Sequence, residues 1–376
     1  MRRALITRGT LTVLAALAVT PAGGACQRST PSRAAPATAS YTVGARPRAI
    51  ATADLNGDGR LDVVVANSGD GTASILLGAG GGRLRPAPGS PVAAGREPSD
   101  VKVVDLDRDG DADLAFANHE TPTVTVLLND GRARFAAAAG SPFNTGARPH
   151  VHGLATGDFD GDGWQDVAVE SADTKEVRVL RGGARGLGEV VAVPVGAMPY
   201  FRLGAANVAG DSYPDVLVPG HGDSTVRLVH RQGGRLVMAP RTIRLTDRAW
   251  VVVAGDVNGD RRQDIVVAQT DAVSVWLAGR DGFDAAAGSP LALRGATEVT
   301  TGDLTGDGVA DVAVGPWDGD EVTVLAGPTL AARRVRTCER PIGLAIADVD
   351  GDRRSELLAA CPTQNRLLVV TAPLGR

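Results

Sequence analysis

Aromatic residues make up only 3% of this 376-residue chain, against 48 glycines and 22 prolines. A helical bundle is excluded, because past residue 20 Gly or Pro interrupts nearly every window in which a helical apolar period could run. Many short strands joined by turns are what such a composition supports. Long hydrophobic runs are missing as well. The apolar stretch at residues 11–19 falls far short of the about 20 residues a helix needs to cross a bilayer. The formal charge of −4 is too mild to point to nucleic acid or an acidic membrane surface as partner. G-x-S-x-G, H-E-x-x-H and phosphate-cradling glycine loops are all absent, and the chain is read as non-enzymatic.

The N-terminus carries an export signature. Arg2, Arg3 and Arg8 form a positive segment, the short apolar stretch follows, and Ala22, Gly23, Gly24 and Ala25 precede Cys26. Residues 1–25 are therefore read as a signal peptide. The Ala25-Cys26 junction resembles a bacterial lipobox, in which Cys26 would be lipidated, although Gly23 stands where such boxes carry Leu. Residues 26–40 are polar and aperiodic, and are read as a disordered linker.

From residue 41 to 376 one unit returns. An apolar strand leads into D-x-[DN]-G-D-G-x-x-D, and a second apolar strand follows. The first loop position falls at Asp54, Asp105, Asp158, Asn207, Asp256, Asp303 and Asp348, a period of about 50 residues. Each copy then has a third strand and a weaker fourth. The fourth often holds Gly-Ser-Pro, starting at Gly89, Gly140 and Gly288, where an outer edge can spare a ladder donor. Four short strands at this period make an all-β fold, a seven-bladed β-propeller; a parallel β-helix would need shorter, more uniform coils. The last copy runs out after three strands, and a spare strand at residues 40–44 precedes the first. Pairing the two would close the ring and remove an exposed edge.

The loops have the chemistry of a hard-cation site. Oxygens at positions 1, 3, 5 and 9, with a carbonyl from 7, can wrap an ion of Ca²⁺ size, and Gly at 6 permits the turn. More than half of the 43 acidic residues occupy such positions. The expected metal ligands are Asp54, Asn56, Asp58 and Asp62; Asp105, Asp107, Asp109 and Asp113; and Asp158, Asp160, Asp162 and Asp166, the fullest set. Three poorer sets follow: Asp256, Asn258, Asp260 and Asp264; Asp303, Thr305, Asp307 and Asp311; and Asp348, Asp350, Asp352 and Glu356. Arg261 and Arg353 replace Gly in the fifth and seventh copies. The fourth copy, with Asn207, Ala209 and Ser212, reads as an ion-free turn held by Asx hydrogen bonds. These are not EF-hand loops, since Val65, Phe116 and Val169 stand where a bidentate Glu is needed. For every copy the alternative is the same turn without a metal.

On these motifs the chain resembles the FG-GAP, or VCBS, repeats of exported bacterial proteins and the N-terminal propeller of integrin α chains, over about residues 41–372. The resemblance implies seven blades with calcium between the first two strands of a blade. It leaves the ligand open, because such propellers serve adhesion, carbohydrate binding and occasionally polysaccharide cleavage.

Turns between second and third strands, and links between blades, must emerge opposite the acidic loops. That end collects His119, His150, His152, His221, Tyr200, Phe201, Trp250, Trp317 and Arg48. In an aromatic-poor protein the concentration marks a binding surface, with Arg48, His150, His152, Tyr200, Phe201, Trp250 and Trp317 as expected ligand contacts. The alternative is that the large rings merely plug the channel. Cys338 and Cys361 flank the first two strands of the last copy and could bridge in an oxidising compartment. The sequence therefore suggests a monomeric, calcium-stabilised adhesion module, secreted or anchored at the cell surface or envelope. Its partner would be a glycan or an extracellular or envelope protein. A polysaccharide lyase or hydrolase using the same face, or a purely structural envelope scaffold, are the alternatives.

Overall fold

The computed structural model describes residues 38–280 and 282–371; the expected signal peptide, Cys26 and most of the expected linker lie outside them. Among the described residues all regular structure is β, arranged as seven antiparallel sheets of four strands each, four of them with the outer strand carried on by a short extra segment. The first blade shows the plan, with strands Pro47–Ala53, Asp62–Asn67, Thr72–Gly78 and Leu84–Pro86. The first strand of each blade packs on the first strands of both neighbours, from Pro47–Ala53 round to Gly343–Ala347 and back. The ring is therefore closed and the first strands surround its axis.

Every second strand starts on the ninth loop residue: Asp62, Asp113, Asp166, Asp215, Asp264, Asp311 or Glu356. Six of the seven are buried along their whole length, and Asp311–Pro316 is half-buried only at its last residue. Their unbroken β-branched and small apolar residues suit a strand covered on both faces. Core side chains divide into seven clusters, one between each pair of neighbouring blades. Each blade is thus stabilised mainly by the next, as repeats that cannot bury both faces alone must be.

Closure follows the expected pairing, shifted by two residues. Thr38–Thr42 pairs antiparallel with Arg366–Val370, Thr38 opposite Val370 and Thr42 opposite Arg366. The strand ends before Val43 because the chain must then turn into the first blade: the Val43 N–H donates to Asn365 O at 3.1 Å and the Gly44 N–H to Ser74 Oγ at 3.1 Å. Tyr41 reaches across to blade 1, donating its hydroxyl proton to Gly82 O at 3.0 Å and accepting the Leu84 N–H at 3.2 Å. A disulfide joins Cys338 to Cys361, with Cα atoms 5.8 Å apart, tying the entry of the last blade to its second strand.

The Gly-Ser-Pro segments break the fourth strand in two, as in Leu84–Pro86 and Val92–Ala93. There the serine hydroxyl replaces the missing ladder acceptor. Ser90, Ser141 and Ser289 accept the N–H groups of Ile75, Val126 and Val275 at 2.8, 2.9 and 2.9 Å.

Candidate functional site

Two assemblies stand at opposite ends of the blades. At one end, each acidic loop is a ladder of side-chain-to-backbone bonds. In the first copy Asp54 accepts the N–H of Gly57 at 2.8 Å and of Gly59 at 2.7 Å, Asn56 that of Asp58 at 3.0 Å, and Asp58 that of Arg60 at 2.9 Å. Asp62 is buried and braces the loop: its oxygens accept the Leu55 N–H at 3.0 Å and the Gly78 N–H at 2.8 Å. Left-handed backbone occurs at position 4 as well as position 6, for example at Gly57 and Gly59.

The loops differ in how closely they gather charge. In the second, third and seventh copies three carboxylates have oxygens within 4.8 Å of one another: Asp105, Asp107 and Asp113; Asp158, Asp160 and Asp166; Asp348, Asp350 and Glu356. Burial, reinforced by neighbouring loop carboxylates and opposed by backbone N–H donors, pushes Asp113 up to about 6, and Asp166 and Glu356 up to about 7. An oxygen-only donor set with this much unneutralised acid fits a hard divalent cation such as calcium. The seventh loop, poor by sequence, converges because the extra methylene of Glu356 carries its carboxylate to the same place, where it accepts the Val349 N–H at 3.0 Å. In the third, Arg181 supplies an internal cation 3.1 Å from Asp160.

The remaining sets are held differently. Asp58 faces Arg60 at 3.4 Å and Asp260 faces Arg262 at 2.7 Å. Asp256 accepts from Gly259, and Asp264 from Val257. In the sixth, Asp303 accepts from Gly306 and Gly308, Asp311 from Leu304, and Asp307 from Val309; Thr305 sits between them with its N–H on Asp311. Asp109, Asp162 and Asp352 cap N–H groups of Asp111, Trp164 and Arg354. In the fourth copy the Asn207 amide donates to the Asp211 carbonyl, and Val208 and Ala209 both donate to Asp215.

At the other end, rings form one continuous cluster. His150 and His152 lie in the link entering blade 3, with His119 just beyond the strand Asp113–Asn118. Ring centroids are 4.2 Å apart for His119 and His150, 4.5 Å for His150 and His152, and 4.2 Å for His152 and Tyr200. Tyr200 lies 5.2 Å from His221, which is 4.5 Å from Trp250; Phe201 lies 6.0 Å from Trp250. The Arg48 guanidinium stands 5.9 Å over the Phe201 ring. All are half-buried except His152, which is buried. Trp317 is not part of this cluster. It is 51% exposed and covered on one side by Arg340 at 5.0 Å.

Beneath the cluster lie groups that sequence reasoning missed. Glu170 is fully buried and its Oε1 sits 2.9 Å from His152 Nδ1. Burial holds both members toward their neutral forms, raising Glu170 to about 8 and lowering His152 to about 4. Burial and the neighbouring imidazoles likewise lower His119 to about 4. Arg202 is also buried and crosses the axis: it donates to Glu298 at 2.6 Å and to the Arg48 carbonyl at 2.8 Å. Gly153 lets blade 3 pass beside it, since a Cβ there would meet Arg202 Cα at 2.7 Å. For Glu170 a usable signal was present: it is an acid inside the buried strand Asp166–Ser171, unlike the loop acids. The group that bonds from blade to blade here is Arg202 rather than a large ring.

The sequence pattern of the FG-GAP-like repeat matches residues 54–116, 105–169, 207–267 and 256–314. No curated protein matches the chain. Among solved structures it is similar to BBS1N, crystallised in complex with ARL6DN and soaked with lead. That chain is 15% identical with a TM-score of 0.62, the match covering 90% of this chain and 97% of that one. A second BBS1N–ARL6DN crystal, soaked with mercury, gives 16% identity and a TM-score of 0.59, covering 90% and 96%. At this identity the likeness concerns the fold.

Proposed function

The chain belongs to the FG-GAP-like repeat family, and from that premise we propose that it is an exported, non-catalytic binding module whose acidic loops hold calcium. The ring cluster around Tyr200 and Trp250 carries the reading. Half-exposed aromatic rings beside Arg48 and several imidazoles offer stacking faces and hydrogen-bonding edges together, which suits the apolar and hydroxylated faces of a sugar ring. A protein partner is the second occupant this fold supports, BBS1N being crystallised in complex with ARL6DN. Export is supported by the leader and by the Cys338–Cys361 disulfide, a bond at home in oxidising compartments. Cys26 would anchor the chain to the envelope if lipidated.

When bound, calcium would neutralise the loop carboxylates. Asp105, Asp107 and Asp113, with their counterparts in the third and seventh copies, are best placed to hold it. The first, fifth and sixth loops offer fewer carboxylates at close range.

One observation favours an enzymatic reading: the buried Glu170–His152 pair beside Arg48 could act on an acidic polysaccharide. A glycan array probed with the purified chain, with product detection on any positive glycan, separates the readings. Binding that Trp250→Ala or Tyr200→Ala weakens at least about tenfold supports the module. Product release would favour the enzyme, and binding unaffected by both substitutions would place the ligand elsewhere.

A further inference from the structure

We propose that His119, His150 and His152 form a divalent transition-metal site of zinc type, separate from the acidic loops and independent of any glycan. One ring nitrogen from each lies within 4.8 Å of the others. The Nε2 atoms of His150 and His152 are 3.1 Å apart. Two imidazoles bound tetrahedrally to one ion at about 2.0–2.1 Å would place their nitrogens about 3.3 Å apart, so little movement is needed.

Three further features fit. His152 Nδ1 meets the buried Glu170 carboxyl at 2.9 Å, an outer partner that fixes the ring and leaves Nε2 facing the cluster. Glu97, His119 and Glu120 also have ligand atoms within 4.8 Å of one another, which supplies a carboxylate beside the triad. Burial holds all three imidazoles toward the neutral form that a metal requires, reinforced by neighbouring imidazoles at His119 and His150 and by Arg48 at His152. Imidazole ligands select zinc, copper or nickel over calcium, whereas the all-oxygen loops select the reverse. With one proton shared between His150 and His152 the arrangement can also stand without metal, and the test decides between the two.

The test uses the chain without a polyhistidine tag, in calcium-saturated buffer so that the acidic loops are already supplied. Titration with zinc chloride by calorimetry should show about one equivalent bound at micromolar affinity or tighter. Cobalt chloride should give the intense visible bands of a tetrahedral nitrogen site. His119→Ala and His150→Ala, both half-exposed positions, should each weaken zinc binding at least about tenfold and abolish the cobalt bands. Asp107→Ala should leave both signals unchanged. The proposal is overturned if the folded chain binds no zinc, or if the His119→Ala/His150→Ala double variant binds it as the parent does. Loss of the signal in Asp107→Ala with retention in the histidine variants would also overturn it, assigning the zinc to the loops.

Discussion

The Arg202 guanidinium meets the Glu298 carboxylate at 2.6 Å across the propeller axis, joining blade 4 to blade 6 over 96 residues of sequence. Asp100 of blade 2 stands 3.9 Å from the same guanidinium, and the carbonyls of Arg48 and Ser99 accept from it at 2.8 and 3.4 Å. One side chain therefore ties four blades together. Removing either partner alone strands a buried charge, at a cost of about 3–5 kcal/mol. Arg202→Met and Glu298→Gln should each lower the urea midpoint accordingly, and the double variant should lose clearly less than the sum. Additive losses would show that the pair is not coupled.

Ring closure has a local test in Tyr41. Its hydroxyl makes two bonds to blade 1, to Gly82 O and from Leu84 N, so Tyr41→Phe should cost about 1–2 kcal/mol. Deleting residues 38–42 goes further, exposing the unpaired edge of Arg366–Val370. Light scattering and the melting temperature should report aggregation and a marked drop. A deletion that melts like the parent would show that the last blade needs no fourth strand.

Strand order, blade number and closure were legible in the sequence because they rest on local pattern. The repeat fixes the unit, and an incomplete last copy with a spare first strand leaves one way to pair. Blade 7 also shows where such reading stops. Arg353 and Glu356 looked like defects, yet the buried Glu356 reaches the same N–H that Asp62 reaches in blade 1. The ring cluster was partly readable, since Arg48, His152, Phe201 and Trp250 each stand six residues before the first position of a loop, the same register in their blades. Trp317 lay outside it: although His119 and His221 also follow directly on a second strand, Trp317 is turned out to solvent with Arg340 over one face. The Arg202–Glu298 pair was hidden because its members come from different blades, and no local spacing encodes a contact over 96 residues; Glu170 meets His152 within its own blade and was marked only by being an acid in a buried strand.

Two arginines occupy backbone that favours glycine. Arg261 has φ 66° and Arg353 φ 71°, at loop position 6, where Gly59, Gly110, Gly163 and Gly308 stand in other copies. A left-handed non-glycine residue costs roughly 1–2 kcal/mol, offset in part by the freedom glycine adds to the unfolded chain. Arg261→Gly and Arg353→Gly should therefore each stabilise the fold by up to about 1 kcal/mol in chemical denaturation. A loss of stability in both would mean that the arginine side chains contribute more than the backbone strain removes.

Calcium and acid should act on the loops in opposite ways depending on whether the ion is present. Without it, Asp113, Asp166 and Glu356 have native values raised above their unfolded ones, to about 6, 7 and 7, by burial first and neighbouring carboxylates next. A carboxyl raised on folding contributes stability that is complete below the unfolded value, near 4, and lost as pH climbs through about 6–7. In chelator these groups should therefore gain stability as pH falls from 7 to 5. The histidines oppose this: His119 and His152 are lowered to about 4, and their contribution is lost between about 6.5 and 4. With calcium, the carboxylates must ionise to bind, so acid displaces the ion. Sites with dissociation constants of about 0.1 mM would each add about 1.4 kcal/mol at millimolar calcium. The histidine term is common to both conditions and cancels in the difference between them. The gap in melting temperature between calcium and chelator should therefore be widest near pH 7.5 and narrow steadily towards pH 5. At pH 7.5 Asp107→Ala and Asp160→Ala should shrink it, and Asp211→Ala in the fourth loop should not. Equal melting curves in calcium and chelator at pH 7.5, with no bound calcium by elemental analysis, would falsify the calcium reading while leaving the propeller untouched.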